Sequence, residues 1–355
     1  MMRQENGSAG PTWRQLLAEG TKLLSAAGVA EAELDAWFLL SAAFGIDRIH
    51  YFMDQNTAVR TERLEAGYGT YRAGLEKRAA RIPLQQILGS QEFMGLEFFV
   101  NEHVLIPRQD TEKLVETVLK EQQEKDISLL DMCTGSGCIA LSLAVLGGYR
   151  KVTAADISKD ALEVARKNAK RLFLIQKGTV RSQSFTVSER PWKIELKTWV
   201  AGTAAAPGTE AVPGREAVPS GRQSLKSAVQ QAEEHSFTLL QSNLFEEIGC
   251  GELYDVIVSN PPYIPSAVID GLEPEVRDHE PRLALDGKED GLYFYRALAL
   301  ECSKHLRTGG MVYFEIGYDQ SADVEKILAL AGYREIETIK DEPGLDRVVK
   351  ARWNR

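Results

Sequence analysis

Several features that would mark a particular class of protein are missing from this sequence. No run of residues approaches the ~20 apolar positions that cross a bilayer, and the first residues lack the basic-then-apolar pattern of a secretion signal. The 4 cysteines include no C-x-x-C pair, which argues against a structural zinc site and favours reduced thiols. We therefore expect a soluble, cytoplasmic protein with no membrane partner.

An excess of positive charge is also missing. Lys and Arg number 42 against 51 Asp and Glu, for a formal net charge of -9. This balance argues against a broad electrostatic attraction to nucleic acid, although a local basic patch remains an alternative. The 5 histidines are dispersed, and the Asp-His-Glu run at 278–280 is more typical of a charged loop than of a metal site. We expect no metal and no direct nucleic-acid partner.

Apolar residues at helical spacing occupy the region from about residue 12 to residue 81. Leu16, Leu17, Leu23 and Leu24 are examples, and glycines at 28 and 45 are typical of helix ends. We predict a helical domain of four or five helices over residues 1–90. Residues 92–106 then change to β character with Gly95 in a possible hairpin, which defines a linker at 91–106.

Strand patterns alternate with helical patterns from residue 127 onward. This alternation predicts an α/β domain over residues 107–355, with a mostly parallel sheet covered by helices on both faces. The candidate strands lie at 128–130, 152–155, 237–240, 254–258, 311–316, 335–339 and 347–352.

One segment, at about 176–234, interrupts that alternation. Its middle is rich in Ala, Pro and Gly and contains the near-repeats EAVPGR and EAVPSGR, beginning at residues 210 and 216. Such a composition does not bury a core. We expect a flexible, low-complexity insertion on the surface; the alternative is a functional module.

The stretch VIVSNPPYIP at 256–265 contains a buried strand that two prolines terminate. Pro261 and Pro262 cannot donate ladder hydrogen bonds, so the strand ends near Asn260, which the following proline holds in an extended conformation. Ligands of open α/β sheets bind at the carboxyl ends of the strands. Residues 260–263, the NPPY corner, therefore present an amide side chain, proline carbonyls and the ring of Tyr263 at such a place. The simpler alternative is a turn that only ends the strand.

A second strand runs into a glycine-rich loop at 129–140, LLDMCTGSGCIA. Glycines there allow close approach of the backbone to a ligand, and free N–H groups follow at the start of the next helix. Asp156 ends the following strand, where a carboxylate is suited to accept hydrogen bonds from ribose hydroxyls. The dinucleotide fingerprint is also satisfied, by Gly135, Gly137 and Ala140. The glycines alone therefore do not distinguish a site for NAD from a site for another adenosyl cofactor. Asp131, before the loop, is placed to hold the loop or to accept from a cationic ligand.

The glycine loop, Asp131 and the NPPY corner together resemble class I methyltransferases that use S-adenosylmethionine and methylate a planar nitrogen. Together with NPPY at 260–263 and the TGSG loop at 134–137, three further stretches narrow the resemblance to the peptide chain release factor N5-glutamine methyltransferase family. These are IPRQDTE at 106–112, the E-x-x-x-x-E-P-R-x-A-L run at 275–285, and FEIG at 314–317.

The resemblance implies a class I, Rossmann-like, seven-stranded, mostly parallel sheet, preceded by a helical substrate-recognition domain and a β-hairpin linker. It implies methyl transfer from S-adenosylmethionine to the side-chain amide nitrogen of the glutamine in the Gly-Gly-Gln motif of release factors. The partners are then release factors, and we expect a monomer. The alternative is an amino-methyltransferase of DNA or RNA bases, which would hold a flipped base at the same corner; the acidic chain disfavours it.

The resemblance also implies the site residues. Asn260 and Pro261 are the catalytic candidates, whose oxygens would accept the two N–H bonds of the amide. The residues implied at the substrate are Asn260, Pro261, Pro262 and Tyr263. The residues implied at the cofactor are Cys133, Thr134, Gly135, Ser136, Gly137, Asp156, Leu244 and Asn260.

Two residues depart from the family pattern. Cys133 stands where glycine is usual, and Asn243 replaces an aspartate beside the adenine. Arg108, Asp110 and Glu112 are further candidates, for which a salt-bridged domain joint is an equal alternative.

Overall fold

Helices make up the first part of the protein. The computed structural model describes residues 10–175, 180–189, 192–201 and 232–354. The first five helices are α1 (Trp13–Ala26), α2 (Ala32–Phe44), α3 (Arg48–Asp54), α4 (Thr61–Ala79) and α5 (Leu84–Leu88). Thr12 begins α1 with a capping box that includes Gln15. Gly45 ends α2 in the left-handed conformation, at the position the sequence indicated.

These helices surround a core of their own. Leu16, Leu40 and Leu75 are fully buried in it, together with Tyr71. The Tyr71 hydroxyl donates a 3.0 Å hydrogen bond to the carbonyl of Leu16, so the ring is buried without leaving a polar atom unpaired. The helical domain implied by the resemblance is confirmed.

A β-hairpin follows the helices, as expected. It consists of β1 (Ser90–Phe93) and β2 (Leu96–Phe99), which pair antiparallel. Met94 and Gly95 at its tip have φ of 53° and 70°. Two consecutive positive φ angles are what a two-residue type I′ hairpin turn requires.

The remaining elements form one sheet with helices around it. Its strands are β3 (Ser128–Met132), β4 (Lys151–Asp156), β5 (Val180–Glu189), β6 (Trp192–Ala201), β7 (Ala232–Gln241), β8 (Tyr254–Ser259), β9 (Leu306–Glu315), β10 (Arg334–Lys340) and β11 (Asp346–Arg352). The accompanying helices are α6 (Gln109–Glu121), α7 (Cys138–Gly147), α8 (Lys159–Ile175), α9 (Ser266–Ile269), α10 (Pro274–His279), α11 (Arg282–Leu285), α12 (Tyr293–His305) and α13 (Ser321–Leu330). Among the described residues, no helix combines the length and apolar character needed to span a membrane.

The strand order is β10-β11-β9-β8-β3-β4-β7-β6-β5. Strands β9, β8, β3, β4 and β7 pair in parallel, and the antiparallel β11 lies between β9 and β10. From β10 to β7 these are the seven strands expected from the sequence, so the class I methyltransferase sheet is confirmed. The loops after β3, β4 and β8 meet at one edge, where ligands of open α/β sheets bind.

Two strands extend this sheet where the sequence predicted a flexible insertion. β5 and β6 form an antiparallel hairpin, and β6 pairs with β7 along its length. The expectation of flexibility was therefore wrong for residues 180–189 and 192–201. Residues 192–197, WKIELK, alternate apolar with charged side chains, which favours a strand, whereas 180–189 shows no such alternation. The Ala/Pro/Gly composition of the neighbouring residues obscured the pattern at 192–197. Residues 202–231, which carry the near-repeats, lie outside the described residues.

Candidate active site

A cavity of about 300 Å³ lies at the carboxyl ends of β3, β4 and β8. Eight of the residues expected at the site line it: Cys133, Thr134, Gly135, Ser136, Asp156, Leu244, Asn260 and Pro262. The other three, Gly137, Pro261 and Tyr263, are not among its lining residues. The structure therefore gathers the glycine loop, the end of β4 and the NPPY corner around one space, although they are far apart in the sequence.

The glycine loop has an unusual backbone at three positions. Cys133, Gly135 and Gly137 have φ of 65°, 55° and 81°. A Cβ on Gly135 would meet no atom within 4 Å, whereas a Cβ on Gly137 would come 3.1 Å from the Cβ of Ala165. Gly135 is thus the glycine that allows a ligand close to the backbone, and Gly137 allows α7 to begin against α8. Cys133 adopts a conformation that costs a non-glycine residue about 1–2 kcal/mol, which explains why glycine is usual there.

Asp156 ends β4 beside this loop. Its Oδ2 accepts a 2.8 Å hydrogen bond from the Gly135 nitrogen, and its Oδ1 accepts a 2.9 Å bond from the Ser158 nitrogen. Burial raises the pKa of the Asp156 carboxyl, opposed by the N–H groups of Ser158 and Gly135. Each carboxylate oxygen has a further lone pair, so Asp156 can hold the loop and also accept from a ligand hydroxyl.

Asp131, at the end of β3, also holds the glycine loop. Its side chain is fully buried, and Oδ2 accepts from the Thr134 hydroxyl at 2.6 Å and from the Ala140 nitrogen at 3.1 Å. Burial raises the pKa of the Asp131 carboxyl to about 7, while the bond from Thr134 lowers it. Asp131 is not among the residues that line the cavity, so of its two expected roles the structure favours holding the loop.

The turn after β7 forms another wall of the cavity. Leu244 lines it with φ of 50°. The Ser242 hydroxyl donates to the Leu244 carbonyl and accepts from the Glu247 nitrogen at 3.0 Å, which fixes the turn. Asn243 also lines the cavity; its Nδ2 donates to Oε1 of Glu246 at 2.8 Å. The Asn243 oxygen therefore remains available as a neutral acceptor.

The NPPY corner follows β8 directly. The Ser259 hydroxyl donates a 2.6 Å hydrogen bond to the Met132 carbonyl, which ties the end of β8 to that of β3. Asn260 Nδ2 donates to Oγ1 of Thr111 at 3.2 Å. Because the nitrogen of the Asn260 amide is occupied on the protein side, its oxygen is the atom left to accept a hydrogen bond from a ligand.

Residues beyond the corner hold it against the rest of the domain. The Tyr263 carbonyl accepts from Nε2 of Gln320 at 3.0 Å. The Ile264 nitrogen donates to the Leu285 carbonyl at 3.0 Å, and the Gly287 nitrogen donates to the Ile264 carbonyl at 2.8 Å. The segment after the corner thus folds back beside it and supplies part of the cavity wall.

Comparison with known proteins assigns the family. The model of the PrmC N-terminal domain matches residues 15–89, and that of the ribosomal protein L11 methyltransferase (PrmA) matches residues 109–190. A release factor glutamine methyltransferase of Geobacter sulfurreducens is 34% identical over 341 residues, 96% of either chain. Another, of Caulobacter vibrioides, is 36% identical over 327 residues, 92% of this chain and 91% of the relative. This chain belongs to the release factor glutamine methyltransferase family.

A solved structure bears the same family name. The protein-(glutamine-N5) methyltransferase (release factor-specific) of Alicyclobacillus acidocaldarius is 24% identical, and the match covers 73% of this chain and all (100%) of that one with a TM-score of 0.34.

The family signature at 106–112 mainly joins parts of the protein. Arg108 lines the cavity and places Nη2 2.8 Å and 2.9 Å from the two carboxylate oxygens of Glu280. Asp110 pairs with Arg347 at 3.2 Å, and Glu112 accepts from the Met94 nitrogen at 2.5 Å. Glu112 therefore ties the hairpin to α6, whereas the pairs made by Asp110 and Arg108 each join two residues within 107–355. Arg108 also faces the cavity.

Sequence reasoning missed part of the cavity wall. Thr111 stands inside the quoted signature, which was a signal that could have found it. His103, Ile157 and Lys288 gave no such signal, because they belong to connecting segments without a distinctive pattern. Tyr293 and Phe294 begin α12, and the helical pattern there does not show which residues face a ligand. The missed residues that line the cavity are His103, Val104, Leu105, Pro107, Thr111, Met132, Cys138, Ile139, Ile157, Ser158, Ala161, Ser242, Pro281, Leu283, Ala284, Lys288, Tyr293 and Phe294.

Proposed function

We propose that this protein transfers a methyl group from S-adenosylmethionine to the side-chain amide nitrogen of the glutamine in the Gly-Gly-Gln motif of peptide chain release factors. The observation that carries the proposal is the Asn260 side chain, which lines the cavity with its nitrogen bound to Thr111 and its oxygen left to accept. An amide oxygen at that place is suited to a planar NH2 group. Membership of the family supports the same reaction.

The residues around the cavity fit the proposed cofactor. The open space at Gly135 admits a ligand close to the backbone, and the Asp156 carboxylate can accept from both ribose hydroxyls. Leu244 and Asn243 line the same cavity; Leu244 would flank the adenine, and the Asn243 oxygen would accept from its exocyclic amine. S-adenosylmethionine supplies a methyl group that its sulfonium already activates, so the protein has only to place the acceptor.

Placing the acceptor is the task of the NPPY corner. The nitrogen of a carboxamide is a poor nucleophile because its lone pair is delocalised into the carbonyl. The Asn260 oxygen and the Pro261 carbonyl would accept its two N–H bonds, orient the nitrogen towards the methyl group and stabilise the positive charge that develops on it. The family resemblance implies that the Tyr263 ring packs on the flat face of the amide; since Tyr263 does not line the cavity in this structure, that role stays an expectation. Two successive prolines restrict the backbone and keep these oxygens in place.

The second candidate function is methylation of an amino group on a DNA or RNA base. The same corner could hold a flipped base, but the net charge of -9 offers little attraction for a polyanion. Since release factors act in translation, we also propose that the protein works in the cytoplasm, and that it does so as a monomer.

Variants of Asn260 test the proposed mechanism. Asn260→Ala should lower turnover about 100-fold with little loss of cofactor affinity, because an oriented polar partner of the acceptor is removed. Asn260→Asp keeps an acceptor towards the cavity but loses the donor to Thr111, so its turnover should be intermediate.

Asn243→Ala is the matched control and should show the reverse pattern, with weaker cofactor binding and a nearly normal maximal turnover. Assays with a release factor and with plasmid DNA, each with labelled cofactor, separate the two candidate functions. Wild-type turnover in Asn260→Ala would contradict the mechanism, and methylation of DNA alone would contradict the substrate.

A further inference from the structure

A single glutamine joins three segments behind the NPPY corner. Gln320 directly precedes α13 and is 9% exposed. Its Oε1 accepts a 3.0 Å hydrogen bond from the Gly317 nitrogen, in the FEIG stretch. Its Nε2 donates to the Tyr263 carbonyl at 3.0 Å and to the Gly291 carbonyl at 3.4 Å. The acceptor half of this amide thus holds the turn after β9, whereas its donor half holds the end of the corner.

The peptide group between Tyr263 and Ile264 is held at both of its ends. The Tyr263 oxygen accepts from Gln320, and the Ile264 nitrogen donates to the Leu285 carbonyl at 3.0 Å. Because a peptide group is planar, two bonds at opposite ends fix its orientation. A Cβ on Gly287 would come 2.7 Å from the Tyr263 carbonyl carbon, so the backbone packed against this group leaves no room for a side chain.

The orientation of that peptide group limits where the oxygens of the corner can lie. The rings of Pro261 and Pro262 fix φ at those two positions, so few rotations remain between the held peptide group and the Pro261 carbonyl. At the other end of the corner, Asn260 is bound to Thr111 at 3.2 Å. Neither proline has an N–H group with which to bond to the rest of the domain. The bond from Gln320 therefore supplies a restraint that the prolines themselves cannot supply.

We propose that Gln320 is a positioning residue, whose Nε2 holds the Tyr263 carbonyl and thereby keeps the Asn260 and Pro261 oxygens in place for the acceptor nitrogen. This inference rests on the proposed function for its effect on turnover. Its structural part, the restraint on the 263–264 peptide group, can be measured without substrate. A displacement of about 1 Å can cost on the order of 100-fold in rate, so the loss of this restraint should be visible in turnover.

Substitution of Gln320 by methionine provides the first test. Gln320→Met keeps a side chain of similar length and removes both hydrogen-bonding groups, so it should lower turnover at least about tenfold. Affinity for S-adenosylhomocysteine should stay near that of wild type, because most of the residues proposed at the cofactor follow other strands. Gln122→Met is the matched control: Gln122 is another partly buried glutamine, whose Nε2 donates to the Tyr313 hydroxyl at 2.7 Å, and its loss should leave turnover near normal.

Substitution of Gln320 by glutamate separates the two halves of the amide. Gln320→Glu keeps an oxygen for the Gly317 nitrogen, but it can donate to the Tyr263 carbonyl only when its carboxyl group is protonated. The groups that face this position are that nitrogen, the carbonyls of Tyr263 and Gly291 and, beside the same turn, the Asp319 carboxylate. Turnover of Gln320→Glu divided by that of wild type should therefore rise as the pH falls, and the same ratio for Gln320→Met should stay constant. Division by the wild-type value removes the titration of groups that both proteins share. A flat ratio in Gln320→Glu would overturn the role of the donor half.

Hydrogen–deuterium exchange of the Ile264 amide measures the restraint itself, on protein without substrate. This amide belongs to the held peptide group, so it should exchange at least about tenfold faster in Gln320→Met than in wild type or Gln122→Met, while the amides of β3 stay unchanged. Unchanged exchange at Ile264, an equal rise in β3, or wild-type turnover in Gln320→Met would overturn the proposal. If the wild type left release factors unmethylated while the exchange behaved as expected, the proposed function would fail and the restraint on the corner would stand.

Discussion

The backbone nitrogen of Gly135 donates a 2.8 Å hydrogen bond to Oδ2 of Asp156. The carboxylate proposed to hold the ribose thus also fixes the loop proposed to receive the rest of the cofactor. Loop and carboxylate belong to adjacent strands, β3 and β4, which pair in parallel. A substitution of Asp156 therefore acts on two parts of the site at once.

Asp156 variants should separate these two effects. Asp156→Ala should weaken S-adenosylmethionine binding at least tenfold, since charge-assisted hydrogen bonds contribute ~1.5–3 kcal/mol each. Asp156→Asn retains an acceptor for the Gly135 nitrogen, so it should lose less affinity for S-adenosylmethionine than Asp156→Ala does. Titration calorimetry gives the affinities, with Asp160→Ala, an exposed position of the next helix, as control. Unchanged affinity in Asp156→Ala would rule out the ribose assignment.

Substitutions of Cys133 test its left-handed backbone. At φ of 65°, Cys133→Val should be at least ~1 kcal/mol less stable to urea than Cys133→Gly, because a β-branched residue is strained there and glycine is not. Cys302, buried inside α12, should show the opposite order, since glycine is unfavourable within a helix. The same order at both positions would mean that side-chain packing, and not the backbone, decides at Cys133.

The free energy of unfolding should depend on pH partly through the carboxyl group of Asp131. Its pKa is raised to about 7 in the folded protein from 3.8, so between pH 4 and 7 the unfolded chain loses this proton while the folded chain retains it. The Asp131 contribution is thus present at low pH and is lost as the pH rises to about 7.

Asp131→Asn has no such proton to lose. Its free energy of unfolding, compared with that of wild type, should gain at least ~1.4 kcal/mol on going from pH 4 to pH 7.5, the equivalent of one pKa unit. Urea titrations at several pH values measure this difference, with the exposed Asp126→Asn as control. A difference between wild type and Asp131→Asn that stays constant over this range would refute the raised pKa.

The hairpin of β5 and β6 should matter to stability, whereas the segment between β6 and β7 should not. Ala201 and Ala232 are opposite each other in the ladder, so an Asn-Gly turn can replace residues 202–231. That variant should keep its melting temperature and its methyl transfer. Removing residues 180–231 should lower the melting temperature, because it also removes Ile194, a buried member of the main core, and uncovers the edge of β7. Loss of activity in the folded first variant would make residues 202–231 a functional element.

The parts of the site that the sequence predicted are those set by one strand and the loop after it. The glycine loop, Asp156 and Asn260 each end a buried strand, and parallel pairing brings such ends to one edge of the sheet. The hydrogen bond between Thr111 and Asn260 could not be predicted in the same way. The two residues lie 149 positions apart in the sequence, and the packing of α6 on the sheet brings them together.

Two other parts of the structure were not predicted from the sequence, the cavity wall at 281–294 and the strands within 176–234. Residues 281–294 reach the cavity because contacts such as Arg108 with Glu280 and Ile264 with Leu285 fold their segment back, and no local pattern encodes those contacts. The strand at 192–201 begins with a period-2 pattern, but averaging composition over the whole of 176–234 concealed it, and periodicity over a short window would have found it. The strand at 180–189 has no such pattern and forms by pairing with 192–201.

The most direct test locates the transferred methyl group. Purified protein, S-adenosylmethionine carrying a deuterated methyl group and a release factor are incubated together, and the digested product is sequenced by tandem mass spectrometry. The account predicts one labelled methyl group, on the side-chain nitrogen of the glutamine in the Gly-Gly-Gln motif, and an initial rate of labelling about 100-fold lower with the Asn260→Ala protein. A label on any other residue, or a release factor left unlabelled by an enzyme that methylates nucleic acid, would contradict it.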